Sequence, residues 1–172
     1  MDPSLLAWVH LVAAAVLVGG GAVVGFAVVP YARGLPELER AALLEGVGRR
    51  LRPLSWVCLV VLFGTGLSAL AERGLPVAVV FRPEEAGGPF GRALAWKLLL
   101  FWILVLLQAV QDLVLAPLAR RLVREAYAAP PDARAERLGR AERVRRWSGW
   151  VHRSVALAGL GVLYFAAVLA RS

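Results

Sequence analysis

The sequence predicts an all-α integral membrane protein, a four-helix transmembrane bundle with both termini on the outer side. The mean hydropathy of +0.66 and the hydrophobic content of 59% exceed those of an ordinary soluble domain. Four apolar stretches have the length of bilayer-crossing helices, and most charges lie between them. The 172 residues suit a single membrane domain, residues 1–172. Its spans are expected at about residues 4–29, 53–71, 93–118 and 147–170.

The first span, roughly Ser4 to Val29, is expected to start with a proline, Pro3, in its first turn and to be closed by Pro30. It contains His10 and, farther along, Gly21 and Gly25, which form a small-xxx-small pair. Such a pair lets another backbone or a flat ligand approach closely. Helix packing alone is the alternative interpretation of these glycines.

An arginine-rich connection, residues 31–53, follows with five arginines and three glutamates. Within it, Pro36–Arg50 is expected to form a short amphipathic helix at the membrane interface. The second span is expected to begin at Pro53 and to carry Cys58 near its start. The Gly-Thr-Gly segment Gly64–Gly66 is expected to break the helix in its second half.

The second connection, residues 72–91, is rich in proline and glycine, and its apolar segment Val77–Phe81 is too short to cross a bilayer. The third span follows and contains Lys97, the only lysine among 20 Lys+Arg residues. The chain otherwise uses arginine for its positive charges. A single lysine therefore indicates a position that needs a compact amine rather than a fork-shaped, permanently charged guanidinium. An ionisable group inside a membrane is also a functional candidate by default.

The third connection, residues 119–146, carries nine arginines and four acidic residues. Pro130–Asp132 is expected to divide it into two short helical pieces. The fourth span carries His152 and Arg153 near its start. The second and fourth spans share an arginine-rich entry followed by a tryptophan, and beyond that similarity no internal repeat is apparent.

The distribution of arginine orients the bundle. The first and third connections carry five and nine arginines, whereas the second carries Arg73 and Arg82 with Arg92 at its end. The positive-inside rule therefore assigns the first and third connections to the cytoplasm and both termini to the outside. We expect a multi-pass protein of the bacterial inner membrane, in contact with the lipid bilayer. The net charge of +8 then faces anionic headgroups, so nucleic acid is not expected as a partner.

This orientation gives each polar residue a depth. His10 and Lys97 lie five or six residues inside the outer ends of their spans, roughly 7–10 Å below the outer surface, and can share a site. His152 and Cys58 belong to the opposite leaflet. The two histidines are therefore not expected to bind one iron from both sides.

Simpler interpretations stand beside these assignments. Lys97 can extend to the outer headgroups, and His10 can be an interfacial histidine bonded to a backbone carbonyl. Cys58 is most often a small apolar filler in such a position.

The cytoplasmic half offers further candidates. Asp112 is expected to pair with Arg52 or Arg153, and His152 can belong to a belt of aromatic and basic side chains. No Ser/His/Asp arrangement, Gly-rich phosphate loop, HExxH or CxxC motif occurs, so hydrolase, nucleotide-binding and structural-zinc functions have no support.

Short motifs follow one another along three spans. The first has Trp-x-His, an apolar run, Gly-Gly and a proline (AWVHLVAAAVLVGGGAVVGFAVVP). The second has an arginine cluster, a tryptophan and Thr-Gly (RRLRPLSWVCLVVLFGTGLSAL), and the third has Lys-Leu and an acid before a proline (WKLLLFWILVLLQAVQDLVLAPLARR). Together they resemble the superfamily that contains the copper-resistance membrane protein CopD and the HemJ-type protoporphyrinogen oxidases. The resemblance covers most of the chain. It departs from relatives at Gln111, because this chain has Gln111-Asp112 where relatives often have His-Asp.

The resemblance implies a haem b-binding membrane protein with a redox role. In HemJ-type proteins a histidine of the first helix and a lysine after a helix start are tied to haem binding and activity, and they correspond to His10 and Lys97. His10 would be an axial ligand, and Lys97, the candidate catalytic residue, would be the sixth ligand or the partner of a haem propionate. The other expected cofactor contacts are Trp8, Trp96, Gly20 and Gly21, and His152 would serve a second metal site.

The HemJ-type activity implies a porphyrin substrate, protoporphyrinogen IX, oxidised to protoporphyrin IX. One alternative is CopD-like copper transport or handling, which needs ligands grouped at one depth, whereas this chain offers His10, His152 and Cys58 in two leaflets. The other is a non-enzymatic accessory subunit, a homodimer through the face of Gly21 and Gly25.

Overall fold

The computed structural model describes residues 2–169, except for the side chains of Pro131 and Asp132. This part of the chain is helical and contains no strand, which confirms the all-α prediction. Four of its helices are long and apolar enough to cross a bilayer. They are α1 (Pro3–Ala32), α2 (Glu37–Glu72), α3 (Gly88–Tyr127) and α4 (Pro131–Leu169).

The helices extend beyond the predicted spans. Pro30 does not end α1, which continues to Ala32. The predicted interfacial helix Pro36–Arg50 is wrong as a separate element, because α2 runs on through Pro53. Nor does Gly64–Gly66 break α2, since backbone groups in a membrane interior must keep their intrahelical hydrogen bonds.

The third connection contains the predicted break, but its helical pieces are not separate. The first piece, Ala116–Tyr127, is the end of α3, and the second is the start of α4. The second connection forms two 3-10 turns, Val77–Val80 and Pro83–Ala86. The first of these turns packs into the bundle end that carries both termini, because Val79 and Val80 are buried there.

Two π-helical turns interrupt the long helices, Val24–Val28 in α1 and Val110–Leu115 in α3. Each ends two residues before a proline, Pro30 or Pro117. A proline inside a helix lacks one N–H group, and its ring presses on the carbonyl four residues earlier. In both helices that carbonyl lies within the π turn, whose extra residue gives the ring room while the helix continues.

The chain consists of two similar helical hairpins, which corrects the expectation of no internal repeat. When the chain is aligned with itself at an offset of 87 residues, Pro30 pairs with Pro117 and His10 pairs with Lys97. The same offset aligns the two π turns to within one residue. In each hairpin a short turn leads from the π-containing helix into a second long helix. Because successive helices alternate in direction, α1 and α3 run parallel, and equivalent residues share a depth.

A thin apolar cluster holds the middle of the bundle together. Its buried residues are Ala13, Ala14, Leu17, Cys58, Leu59 and Leu62. Elsewhere glycines permit close packing: a Cβ added at Gly159 would lie 2.6 Å from Val18 Cγ2. The outward faces carry large apolar side chains that are more than half exposed, such as Val60, Leu106 and Leu113. A surface of this kind suits lipid tails rather than water.

Candidate functional site

A cavity of about 470 Å³ lies between the four helices, in the half of the bundle that contains the chain termini. His10, Thr65, Glu72, Arg73 and Lys97 supply its polar lining, and the rest is mainly apolar. Its volume falls within the range of small-molecule sites. The structure thus brings His10 and Lys97 to one cavity.

His10 is hydrogen-bonded to Thr65 across the cavity, with 2.6 Å between His10 Nδ1 and Thr65 Oγ1. The Thr65 hydroxyl also lies 2.7 Å from the carbonyl oxygen of Val61, and a second carbonyl, that of Leu62, lies 3.3 Å away. When the single hydroxyl proton is used within α2, Nδ1–H donates to Thr65. The other ring nitrogen, Nε2, then keeps its lone pair, which is the form that binds metal ions.

Lys97 occupies the position in α3 that His10 occupies in α1. The α3 residues that line the cavity are Phe90, Leu94, Lys97, Leu98, Phe101 and Leu104, and a shift of 87 places them on Pro3, Ala7, His10, Leu11, Ala14 and Leu17, which also line it. The two helices thus present matching faces to the cavity. The Lys97 ammonium group forms no hydrogen bond or ion pair with any residue that the structure describes.

The mouth of the cavity carries a second cation, Arg73, whose guanidinium lies 4.7 Å from the centroid of the Phe90 ring. The turn Val77–Val80 packs beside it, and Val80 lines the cavity. The following turn lies tightly against α3, because a Cβ added at Gly91 would be 2.9 Å from the Pro83 carbonyl oxygen. The second connection therefore covers this end of the cavity.

An aromatic pair forms part of the wall. The rings of Phe63 and Phe101, both lining the cavity, are stacked with centroids 6.0 Å apart and an angle of 16° between planes. The two tryptophans predicted to contact the cofactor lie elsewhere. Trp8 is 62% exposed, and Trp96 is 55% exposed and stacks on Phe165. Neither tryptophan lines the cavity.

The two glycines predicted to contact the cofactor also lie outside this cavity. Gly20 and Gly21 line a second cavity of about 490 Å³, in the arginine-rich half of the bundle. Gly21 faces Val155 of α4, since an added Cβ would lie 3.6 Å from that side chain, and Gly25 faces His152 in the same way at 3.7 Å. The small-residue face is therefore occupied within the chain, and a homodimer would have to use another surface.

A buried carboxylate, Asp112, organises this second cavity. Its oxygens accept hydrogen bonds from Trp56 Nε1 at 3.0 Å and Gln108 Nε2 at 2.8 Å. Arg52 Nε lies 3.1 Å from Oδ1 as an ion pair, without the alignment of a hydrogen bond. Of the two expected arginine partners Asp112 thus pairs with Arg52, whereas the guanidinium of Arg153 lies 5.1 Å from the Trp150 ring.

His152 lines this second cavity, apart from His10. Its Nδ1 donates to the Ser148 carbonyl at 2.8 Å, since a carbonyl can only accept. Cys58 lies in the apolar cluster. Within residues 2–169, no group of three His, Cys, Asp or Glu side chains is arranged to hold a metal ion.

Thr65 and Arg73 are site residues that the sequence analysis missed. The Gly-Thr-Gly segment predicts a helix break at Thr65, and Arg73 falls in the second connection. Neither assignment predicts a residue that lines a cavity. The 87-residue offset pairs His10 with Lys97, but few residue types match at this offset, so the sequence gives only a weak signal of it. No protein-family model, curated protein or solved structure matches this chain, so the function is argued from these residues.

Proposed function

We propose that this chain is a haem b-binding integral membrane protein with a redox role, similar to the CopD and HemJ-type superfamily. The observation that carries the proposal is the hydrogen bond between His10 Nδ1 and Thr65, which suits the tautomer with an unprotonated Nε2 in a mainly apolar cavity. Neutral imidazole is the usual proximal ligand of haem iron. When bound, haem supplies one-electron transfer, and the protein sets its ligation and access.

Other features of the cavity fit the same group. The stacked rings of Phe63 and Phe101 offer an apolar wall to a flat macrocycle. Lys97 and Arg73 supply two cations, which suits the two carboxylates of a haem or of a porphyrin substrate. Lys97 would serve either in this way or, as a neutral amine, as a second axial ligand. The covering turn Val77–Val80 limits the access of water.

The same reasoning supports a HemJ-like substrate, protoporphyrinogen IX, which is a largely apolar macrocycle that carries two carboxylates. Lys97 would orient the substrate through one carboxylate, and Arg73 would hold the other at the mouth. The positive-inside rule further assigns the arginine-rich end to the cytoplasm and both termini to the outside of a bacterial inner membrane. His10 and Lys97 then lie in the outer half of the bilayer.

The visible absorption spectrum of the detergent-purified protein tests this proposal. We expect a Soret band and b-type bands that sharpen on reduction with dithionite, and we expect His10→Ala to lose them because the axial nitrogen is removed. His152→Ala is the matched control, since that histidine lines the other cavity. A colourless wild-type protein that takes up no added haemin would refute the proposal, as would a His10→Ala spectrum equal to that of the wild type.

A further inference from the structure

The second cavity is amphipathic across its width. Its α1 wall is apolar, formed by Val16, Leu17, Gly20, Gly21, Val24 and Val29. Its α2 and α3 walls carry Ser55, Gln108, Gln111, Asp112 and several arginines. The lining on α1 covers 13 residue steps, about 20 Å of helix at 1.5 Å per residue. Such a cavity suits an elongated ligand with one polar end.

The charge of this cavity is strongly positive. Five arginines line it, against two carboxylates, those of Glu45 and Asp112. Asp112 is neutralised by Arg52 and by the two hydrogen bonds described above, so it does not repel an anion. Arg120 pairs with Glu45 at 3.7 Å, and Arg145 pairs with Glu37.

Two of the five arginines, Arg49 and Arg124, form no ion pair with any carboxylate whose side chain the structure describes. Arg49 lies one turn deeper than Glu45 along α2, and Arg124 lies one turn farther out than Arg120 along α3. They therefore flank the Glu45–Arg120 pair, and both line the cavity as exposed residues.

We propose that this cavity binds an anionic phospholipid, with its phosphate at Arg49 and an acyl chain along the α1 wall. Basic pockets between transmembrane helices are suited to anionic headgroups, because a guanidinium binds phosphate oxygens through paired N–H groups. The apolar wall beyond the arginines favours a phosphate that carries a chain over inorganic phosphate. Arg124 attracts the headgroup from the membrane surface.

Native mass spectrometry of the full chain, with added dioleoylphosphatidylglycerol or dioleoylphosphatidylcholine, tests this inference. We expect one phosphatidylglycerol to be retained in preference to phosphatidylcholine, and we expect Arg49→Ala/Arg124→Ala to weaken retention about thirtyfold, since each arginine contributes about one kcal/mol. Arg82→Ala/Arg92→Ala is the matched control, because those exposed arginines lie outside this cavity. Equal retention of the two lipids, or equal retention by both double variants, would overturn the inference.

A second variant separates the cavity from surface attraction. Gly20 lines the cavity, and a Cβ added there meets no atom within 4 Å, so Gly20→Leu fills the space and leaves every arginine in place. We expect this variant to lose the bound phosphatidylglycerol while Arg49→Lys/Arg124→Lys keeps it. Unchanged retention in Gly20→Leu, or displacement of the lipid by 10-fold excess inorganic phosphate, would overturn the assignment of the acyl chain to this cavity.

Discussion

Thr65 is the residue on which the chemistry of the candidate site depends. When its hydroxyl proton goes to Val61, its oxygen accepts from His10. That hydrogen bond orients the ring and favours one tautomer, as a partner in the outer shell of a metal site does. Sequence patterns identified His10 and Lys97 through their depth, but a contact between residues 55 positions apart needs the packing of α1 on α2.

Thr65→Val removes this acceptor and keeps the shape of the side chain. We expect haemin affinity to fall roughly 10–100-fold, because the His10 N–H loses its partner and the ring is free to turn. Thr65→Ser retains the hydroxyl and is expected to bind close to wild type. Optical titration with haemin measures the effect. If Thr65→Val and Thr65→Ser bind haemin equally well, the hydrogen bond does not orient the ligand.

At the scale of the helices, Asp112 links α3 to α2. It is only 9% exposed, and it lies within the π turn Val110–Leu115, which contributes it to the second cavity. The sequence predicted an ion pair for Asp112, because a carboxylate near the membrane interior needs a counter-ion. The Trp56 hydrogen bond was not predictable, because it depends on the packing of α2 against α3, and Pro117 marks a disturbed helix without specifying a π turn.

Asp112→Ala is expected to destabilise the bundle by about 3 kcal/mol, because Arg52 loses its counter-ion and Trp56 its acceptor. Arg52→Leu/Asp112→Leu should recover part of this loss, since no charge is left unpaired. Unfolding in detergent with increasing denaturant measures both. Glu85→Ala is the control: its ion pair with Arg82 is exposed and should contribute less than about 1 kcal/mol. Equal stability of Asp112→Ala and wild type would remove the structural role assigned to this carboxylate.

The whole molecule is organised as two hairpins around two cavities. Composition and hydropathy predicted four long apolar helices, and the structure has them. The repeat escaped the sequence analysis because few residue types are shared: a shift of 87 aligns His10 with Lys97 and Gly25 with Asp112. What the hairpins share is helix geometry and the faces that line the cavities, and those properties depend weakly on residue identity.

The proposed orientation can be tested on the whole molecule. Two single-cysteine variants in a Cys58→Ala background serve as probes. Gly34→Cys places the thiol in the turn between α1 and α2, and Arg82→Cys places it in the second connection. We expect a membrane-impermeant maleimide to label only Arg82→Cys in intact spheroplasts, and to label both after permeabilisation, because the arginine-rich end faces the cytoplasm. Labelling of Gly34→Cys before permeabilisation would reverse the orientation.

The apolar cluster that separates the two cavities is also an electrical insulator. Leu17 lines both cavities, so the layer between them is about one side chain thick on α1. When water fills the cavities, most of a transmembrane voltage falls across this layer rather than across the full bilayer. A charge that crosses between the cavities would then gain nearly the whole potential, about 2.3 kcal/mol per 100 mV, over a few ångströms.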